Sequence, residues 1–166
     1  AEGLYREGKV LEAIKFWEAA QLLDPFDAAV LVRLGEALDK KAASFEDFVQ
    51  IMNIYERALI RNPEYVPAYT RLGTLETDQY NFRRGYELLR RAATLGPDSV
   101  EPYVALGKHF FKRRQYNESL TEFLEAAKRS PRDDEILYYA GLLKVLFRKD
   151  SAKEAIFTRK VGHTQR

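Results

Sequence analysis

The two histidines, His109 and His163, are the side chains of this sequence best suited to exchange protons near neutral pH. Catalysis by such a base requires a nucleophile or a second acid–base group nearby, and neither histidine has a neighbouring serine in a recognisable motif. His109 falls inside a predicted helix, where we expect a packed, structural histidine. The sequence therefore predicts a protein that is not an enzyme.

Ligands for metals and cofactors are equally scarce. The chain has no cysteine, which removes disulfides, thiolate catalysis and most structural zinc sites. The acidic pair Asp133 and Asp134 precedes a predicted helix, where negative charge complements the helix dipole. No glycine-rich phosphate loop, metal-spaced histidine pair or calcium loop occurs in the sequence. We therefore expect no cofactor and no metal.

Composition is that of an ordinary folded domain. The 166 residues are 46% apolar and 13% aromatic, which is enough to form a core. The 27 basic and 25 acidic residues nearly balance, and no apolar run approaches the roughly 20 residues of a membrane-spanning helix. The sequence begins at Ala1, so we expect a further segment upstream. Nothing indicates a compartment, and the cytoplasm is the default expectation.

Four prolines reveal an internal repeat: Pro25, Pro63, Pro97 and Pro131 recur at intervals of about 34 residues, of which the first is slightly longer. A glycine recurs in register with them, each time after a leucine or alanine, and a second small residue recurs towards the end of each unit. These small residues are Gly35, Gly73, Gly107, Gly141, Ala20, Ala58, Ala92 and Ala126. Apolar residues recur at steps of three and four between them, so each unit is predicted to be a pair of helices.

This pattern resembles the tetratricopeptide repeat, a helix-turn-helix unit of about 34 residues with the signature W-x-x-L-G-x-x-Y, A-x-x-x-F and a closing proline. The resemblance covers almost the whole chain as about five repeats, of which the first is truncated. It implies an all-α fold in which antiparallel helix pairs stack into a right-handed superhelical solenoid. It also implies that the small residues lie where helices cross. A glycine there costs about 1 kcal/mol of helix propensity, which closer packing offsets.

We expect a single array over residues 1–166, with repeats at 1–27, 28–65, 66–99, 100–133 and 134–150 and a terminal helix at 151–161. The predicted helices are 9–23, 28–41, 45–61, 66–79, 82–94, 100–114, 116–129, 134–148 and 152–161. Repeat two is four residues longer than the others, and Ser44 with Asp47 predicts that its second helix begins near Phe45. Ser151 and Glu154 form a similar capping signal. Glu76 stands where a large apolar residue belongs, which predicts weaker packing in repeat three.

The resemblance implies a protein-interaction scaffold that binds a partner peptide or helix in a concave groove lined by the first helix of each repeat. The groove-facing positions carry Arg33, Glu36, Lys40, Arg71, Thr74, Asp78, Lys108, Lys112, Arg113, Tyr138, Tyr139 and Leu142. They predict a surface of mixed charge at one end, basic in the middle and aromatic or apolar at the other. A ligand with acidic residues and an apolar anchor would fit it.

Three other functions can be weighed from the residues. Family members that bind chaperone tails grip a terminal carboxylate with Lys, Asn, Asn, Lys and Arg, but the equivalent positions here hold Val32, Glu36, Arg71, Glu101 and Ala105, so that role is disfavoured.

Repeat five is apolar nearly all round, so a patch of Tyr138, Tyr139, Leu142 and Leu146 is either covered by helix 152–161 or exposed. If exposed, it predicts a homo-oligomer, a self-associating assembly or a secretion-type chaperone module. Residues 83–114 carry eight basic and three acidic side chains, which makes nucleic-acid binding the weakest candidate.

Overall fold

A computed structural model describes residues 9–25 and 27–146, and all regular secondary structure in these ranges is helical. Within these ranges eight helices follow one another: α1 (Val10–Leu23), α2 (Ala28–Asp39), α3 (Phe45–Arg61), α4 (Val66–Asp78), α5 (Phe82–Leu95), α6 (Glu101–Lys112), α7 (Tyr116–Arg129) and α8, which covers residues 134–146. The all-α prediction is therefore confirmed. The predicted terminal helix at 152–161, with its signal at Ser151 and Glu154, lies outside the described residues.

The sequence signals for helix starts act as expected. At the start of α3 the Asp47 amide donates to Ser44 Oγ at 3.1 Å, and the Ser44 amide donates to Asp47 Oδ2 at 2.9 Å. These two bonds form a capping box that satisfies amides with no partner inside the helix. Asp27 caps α2 in a similar way, accepting from the Ala29 amide at 2.7 Å. Helices α2 and α6 end two residues earlier than predicted. The last two residues of each predicted helix instead lie in the turn to the following helix, α3 or α7.

Two of the turns contain a residue in the left-handed conformation that normally favours glycine. Tyr80 has φ 63° after α4, and Arg114 has φ 59° after α6. The following amides, of Asn81 and Gln115, donate back to the carbonyls of Glu76 and Phe110 at 2.8 and 2.9 Å. This is the hydrogen bond of a Schellman helix end, in which a side chain at the left-handed position is strained by about 1 kcal/mol.

Arg114→Gly is therefore expected to stabilise the protein by about 0.5 to 1 kcal/mol, since glycine adopts this conformation without strain. The neighbouring Arg113→Gly is the matched control. Arg113 has a right-handed backbone (φ −83°), so glycine relieves no strain there. It only raises the conformational entropy of the unfolded chain, and Arg113→Gly is therefore expected to destabilise the protein. Urea denaturation of both variants measures the difference, and equal effects would contradict the assignment of strain to Arg114.

The chain forms two compact units that divide between Pro97 and Asp98. Helices α1 to α5 belong to the first unit and α6 to α8 to the second. The division lies two residues before the predicted boundary between repeats three and four. Within each unit, consecutive helices pack as pairs around buried apolar side chains such as Leu31 and Leu72 in the first and Leu143 in the second. The single continuous superhelix remains a prediction.

Glycines lie where the two helices of a repeat meet. A Cβ atom on Gly35 would come within 2.5 Å of the Tyr55 ring, and one on Gly107 within 2.7 Å of the Phe123 ring. A Cβ on Gly73 would lie 2.8 Å from Leu89 Cγ. All three distances are too short for a side chain, so the paired helices approach closely at Gly35, Gly73 and Gly107.

The other predicted crossing residues are less uniform. Ala58, Ala92 and Ala126 are fully buried, whereas Ala20 is half-buried. A Cβ on Gly141 would meet no described atom within 4 Å. The helix that Gly141 was predicted to cross lies outside the described residues, so that crossing stays a prediction.

Glu76 is accommodated by an ion pair instead of by apolar packing. The Glu76 side chain is 5% exposed, and its Oε1 lies 3.0 Å from Nε of Arg84 on α5, as an ion pair without good hydrogen-bond alignment. Asn81 donates to the other carboxylate oxygen at 3.0 Å, and Arg84 also pairs with Glu56 on α3. One arginine thus links three helices of the first unit at the point where the sequence predicts weak packing.

Candidate partner-binding surface

In the first unit, the predicted groove residues of repeats two and three meet on one exposed face. Arg71 of α4 places Nε 2.6 Å from Glu36 Oε1 of α2, and Arg33 places a guanidinium nitrogen 3.2 Å from Glu36 Oε2. Both arginine side chains are about half exposed, whereas the Glu36 side chain is only 15% exposed. The first helices of successive repeats therefore lie side by side, as the sequence pattern predicts.

Carboxylates extend this face towards the ends of the same two helices. Partial burial raises the pKa of Asp39 above its ordinary value, the nearby Asp78 carboxylate raises it further, and the Arg71 guanidinium opposes both. Burial is the larger cause of the raised pKa, and the carboxylates of Asp78 and Glu36 add to it because they bring negative charge close to Asp39. The face therefore carries an acidic end beside its arginines.

The remaining predicted residues of this face differ in availability. Lys40 is exposed at the end of α2. Thr74 is half-buried, and its hydroxyl donates to the Thr70 carbonyl at 2.8 Å inside α4. Thr74 therefore offers a ligand little more than its methyl group.

In the second unit, α6 and α8 are joined in the same manner. Lys108 Nζ lies 2.7 Å from Glu135 Oε1, with both side chains about half exposed. Lys112 is half-buried and Arg113 exposed on the same helix as Lys108. Glu135 is missing from the predicted set, although it lies on the first helix of repeat five.

The three aromatic and apolar residues of α8 do not share one environment. Tyr139 stacks on the buried Phe123 ring at 4.7 Å with an angle of 4° between the rings, and it also contacts Phe111 edge-on at 5.6 Å. Leu142 is half-buried, whereas Tyr138 is 65% exposed. Tyr139 thus contributes mainly to the core of the second unit, and of these three residues Tyr138 is the most accessible to a partner.

His109 has the packed environment expected of a structural histidine. It is fully buried in the second unit and meets the Phe110 ring edge-on at 5.4 Å. Burial lowers the pKa of His109 to about 4, and the nearby positive charge of Arg113 contributes to the lowering. The imidazole is therefore neutral at physiological pH and inaccessible to a substrate.

This buried histidine predicts a pH-dependent stability. Because the folded-state pKa of about 4 lies below the ordinary value of 6.5, the unfolded chain binds more protons between these values. The contribution of neutral His109 to the free energy of unfolding is present above pH 6.5 and is lost as the pH falls towards 4. Between pH 7 and pH 5 the free energy of unfolding is expected to fall by about 2 kcal/mol. Urea denaturation at several pH values measures it. His109→Phe should remove this part of the dependence, and an unchanged slope would contradict the prediction.

The basic segment 83–114 is partly neutralised by local carboxylates. Arg83 pairs with Glu87 at 3.2 Å, Arg84 with Glu76 at 3.0 Å, and Lys108 with Glu135. A phosphate backbone would have to compete with these contacts. The observation weakens the case for nucleic-acid binding.

Features of other functional classes are missing from the part of the chain that the structure describes. Residues 9–25 and 27–146 contain no group of three or more acidic or histidine side chains that could hold a metal ion. Over the same ranges, no helix is both long and apolar enough to span a bilayer. A shallow pocket lies at the turn between α2 and α3, but the Asp47 carboxylate in its wall is already engaged by the backbone amides of Ala43 and Ser44.

Comparison with known proteins gives two similar sequences. The chain is 32% identical over 100 residues, or 58% of its length, to the BBSome complex member BBS4 homolog of Drosophila melanogaster. It is 31% identical over 108 residues, or 64% of its length, to Hsp70-Hsp90 organizing protein 2 of Arabidopsis thaliana. These matches span only 20% and 17% of the two relatives. No family model matches the chain.

Solved structures show the same helical arrangement. TTC0263, a thermophilic TPR protein of Thermus thermophilus, aligns with a TM-score of 0.76 at 22% identity, covering 84% of this chain and 76% of that one. The TPR domain of Arabidopsis OM64 aligns with a TM-score of 0.63 at 17% identity, covering 70% of this chain and 93% of the domain. At these identities the likeness establishes the fold.

Proposed function

We propose that this chain, whose fold is that of the tetratricopeptide-repeat proteins, is a non-catalytic scaffold that holds a partner's peptide or helix against its first helices. The observation that carries the proposal is the meeting of Arg33 and Arg71, from two different repeats, around Glu36 on one exposed face. Such a face presents charge from successive repeats at fixed spacing. A ligand lying across the helices would contact both repeats together.

The internal ion pairs determine which ligand charges fit. The Arg71 guanidinium and the Lys108 ammonium already contact Glu36 and Glu135, so an acidic ligand residue must replace or share those carboxylates. Near Asp39 and Asp78, by contrast, a lysine or arginine of the ligand would relieve crowded negative charge. The favoured ligand therefore carries charges of both signs, together with an apolar side chain.

The name of the Arabidopsis relative refers to chaperones, but this face is poorly suited to the terminal carboxylate of a chaperone tail. Glu36 occupies one of the positions at which that ligand class requires an amide or a cation. A carboxylate there repels a ligand carboxylate instead of donating to it. The partner is therefore expected to present internal side chains and not a free chain end.

Binding of a defined peptide tests the proposal. Peptides would be selected on the wild-type chain from a displayed random library, and their affinities measured by calorimetry against Arg71→Glu/Lys108→Glu/Lys112→Glu. The control is Arg57→Glu/Arg90→Glu/Arg91→Glu, which makes the same charge change on α3 and α5. Circular dichroism confirms that both variants fold.

The groove variant is expected to lose at least about tenfold in affinity, and the control much less. Equal losses would place binding elsewhere and overturn the proposal. If the wild-type chain selects no peptide but binds single-stranded nucleic acid with a steep salt dependence, the alternative function is favoured.

Glu36→Gln is expected to strengthen binding of the acidic residues in such a peptide about fivefold, because it releases Arg33 and Arg71 from their internal partner at a gain of about 1 kcal/mol. Glu64→Gln, at an exposed position between α3 and α4, is the matched control and should leave the affinity unchanged. Calorimetry at low and high salt measures the effect. Weaker binding in the Glu36 variant would mean that the ligand uses the carboxylate itself.

A further inference from the structure

Repeat two has a longer connection between its two helices than repeats three and four. Five residues, 40–44, separate α2 from α3, whereas three residues form each of the turns 79–81 and 113–115. Helix α3 also has 17 residues, against 14 in both α5 and α7. The extra residues of this repeat therefore lengthen the turn and extend α3 at its start.

A pocket of about 240 Å³ lies beside these extra residues, and we call it the insertion pocket. The end of α2, the turn and the first two turns of α3 line it with Leu38, Lys41, Ala42, Asp47, Gln50 and Ile51. Ile51 is fully buried, and Leu38 and Ala42 pack on the same apolar cluster. The floor of the insertion pocket is therefore apolar.

Two polar side chains at the rim of the insertion pocket are available to a ligand. Lys41 and Gln50 are exposed, and neither side chain makes a hydrogen bond or ion pair with another residue in the described part of the chain. The Asp47 carboxylate is already engaged, because the amides of Ala43 and Ser44 donate to its Oδ2 at 3.0 and 2.9 Å. The rim therefore offers an ammonium group that attracts an anion and an amide that can hydrogen-bond to a peptide backbone.

The volume of the insertion pocket decides what it can hold. A cavity of about 150 Å³ accommodates a benzene molecule, whereas pockets for drug-sized ligands and cofactors begin at about 300 Å³. The insertion pocket, at about 240 Å³, lies between these values. It therefore has room for one leucine-sized side chain but not for a cofactor.

We propose that the insertion pocket binds a leucine-sized apolar side chain of a partner peptide, with a neighbouring acidic residue of that peptide paired to Lys41. The apolar floor covers the side chain, and the ammonium group selects the acidic neighbour by charge complementarity. The Gln50 amide supplies hydrogen bonds to the backbone of the same peptide. This site is independent of the groove ligand, since it shares neither Glu36 nor Arg71 with the groove face.

A capped dipeptide, acetyl-Leu-Glu-amide, tests the proposal when it is titrated into the full 166-residue chain and followed by NMR. The amide signals of Lys41, Ala42 and Gln50 are expected to shift with a dissociation constant of about 1 mM, as suits a ligand of this size. Acetyl-Ala-Glu-amide should bind at least about tenfold more weakly, because it lacks three of the carbon atoms that fill the pocket. Acetyl-Leu-Lys-amide should bind about threefold more weakly, since its charge repels Lys41.

Ala42→Leu fills the insertion pocket with a side chain of the protein itself. It is expected to abolish the shifts and to raise the melting temperature by about 2 to 4 °C, as cavity filling does. The matched control is Ala43→Leu, at the exposed neighbouring position, which should change neither. The groove variant Arg71→Glu/Lys108→Glu/Lys112→Glu should bind the dipeptide as the wild type does, so failure of the groove proposal and failure of this one are distinguishable.

Three results contradict the proposal, and each overturns it alone. The first is that the three amide signals do not shift at dipeptide concentrations up to about 10 mM. The second is equal binding of the three dipeptides, which would mean that neither the apolar floor nor the Lys41 charge is recognised. The third is unchanged binding in the Ala42→Leu variant, which would place the dipeptide elsewhere.

Discussion

Gly107→Leu is expected to destabilise the second unit by about 3 kcal/mol or more, because the side chain has no space between α6 and α7. A Cβ at this position would already lie 2.7 to 2.9 Å from three atoms of the Phe123 ring. Separating the two helices would also break the hydrogen bond from the buried Ser119 hydroxyl to the Gly107 carbonyl, which measures 2.8 Å. Both the packing and a buried polar contact are lost together.

Thermal and urea unfolding followed by circular dichroism measure this effect. Gly107→Ala should give a smaller loss in the same direction, since its single methyl group can be accommodated by a small shift of the ring. Ala19→Leu, at an exposed position of α1, controls for the added apolar side chain and should change stability by no more than about 0.5 kcal/mol. A melting temperature unchanged within error for Gly107→Leu would rule out the crossing.

Arg84→Met is expected to destabilise the first unit by about 3 kcal/mol, because it leaves the Glu76 carboxylate buried beside an apolar side chain. The Glu76 side chain is 5% exposed and has its ion-pair contact with Arg84 at 3.0 Å. Only Glu76 is buried in this pair, since the Arg84 side chain is about half exposed. Removing the arginine therefore leaves the desolvation cost of the buried carboxylate uncompensated. The remaining contact from Asn81, at 3.0 Å, satisfies only one carboxylate oxygen.

A second substitution separates this cost from other effects of losing the arginine. Glu76→Leu in the Arg84→Met background should restore stability to the wild-type value or above, since a leucine suits a position where the repeat pattern expects a large apolar residue. Arg83→Met is the matched single control: its side chain is 92% exposed, so its pair with Glu87 should contribute less than about 0.5 kcal/mol. If Arg83→Met and Arg84→Met cost the same in urea denaturation, the buried pair contributes no special stability.

The repeat pattern does not predict the contact between Glu76 and Arg84. The pattern identifies Glu76 as out of place but cannot name the residue that compensates for it. Glu76 lies on α4, whereas Arg84 lies on α5 and also contacts Glu56 on α3. This contact among three helices depends on the directions of the side chains. Similarly, Tyr139 and Tyr138 are adjacent in the sequence and look equivalent, yet Tyr139 stacks on Phe123 while Tyr138 is largely exposed. The rotation of about 100° between successive helical residues turns neighbours towards different surroundings.

The fold class, the repeat period and most helix boundaries follow from the amino-acid sequence. These features can be read from the sequence because their signals are local: apolar spacing, a capping box at Ser44 and Asp47, and glycines that recur about every 34 residues and allow close helix approach. Which charged groups meet is visible only in the folded chain. The contact of Arg71 with Glu36 and of Lys108 with Glu135 brings together residues on separate helices, and an electrostatic contact depends on distances of a few ångströms that sequence spacing does not specify.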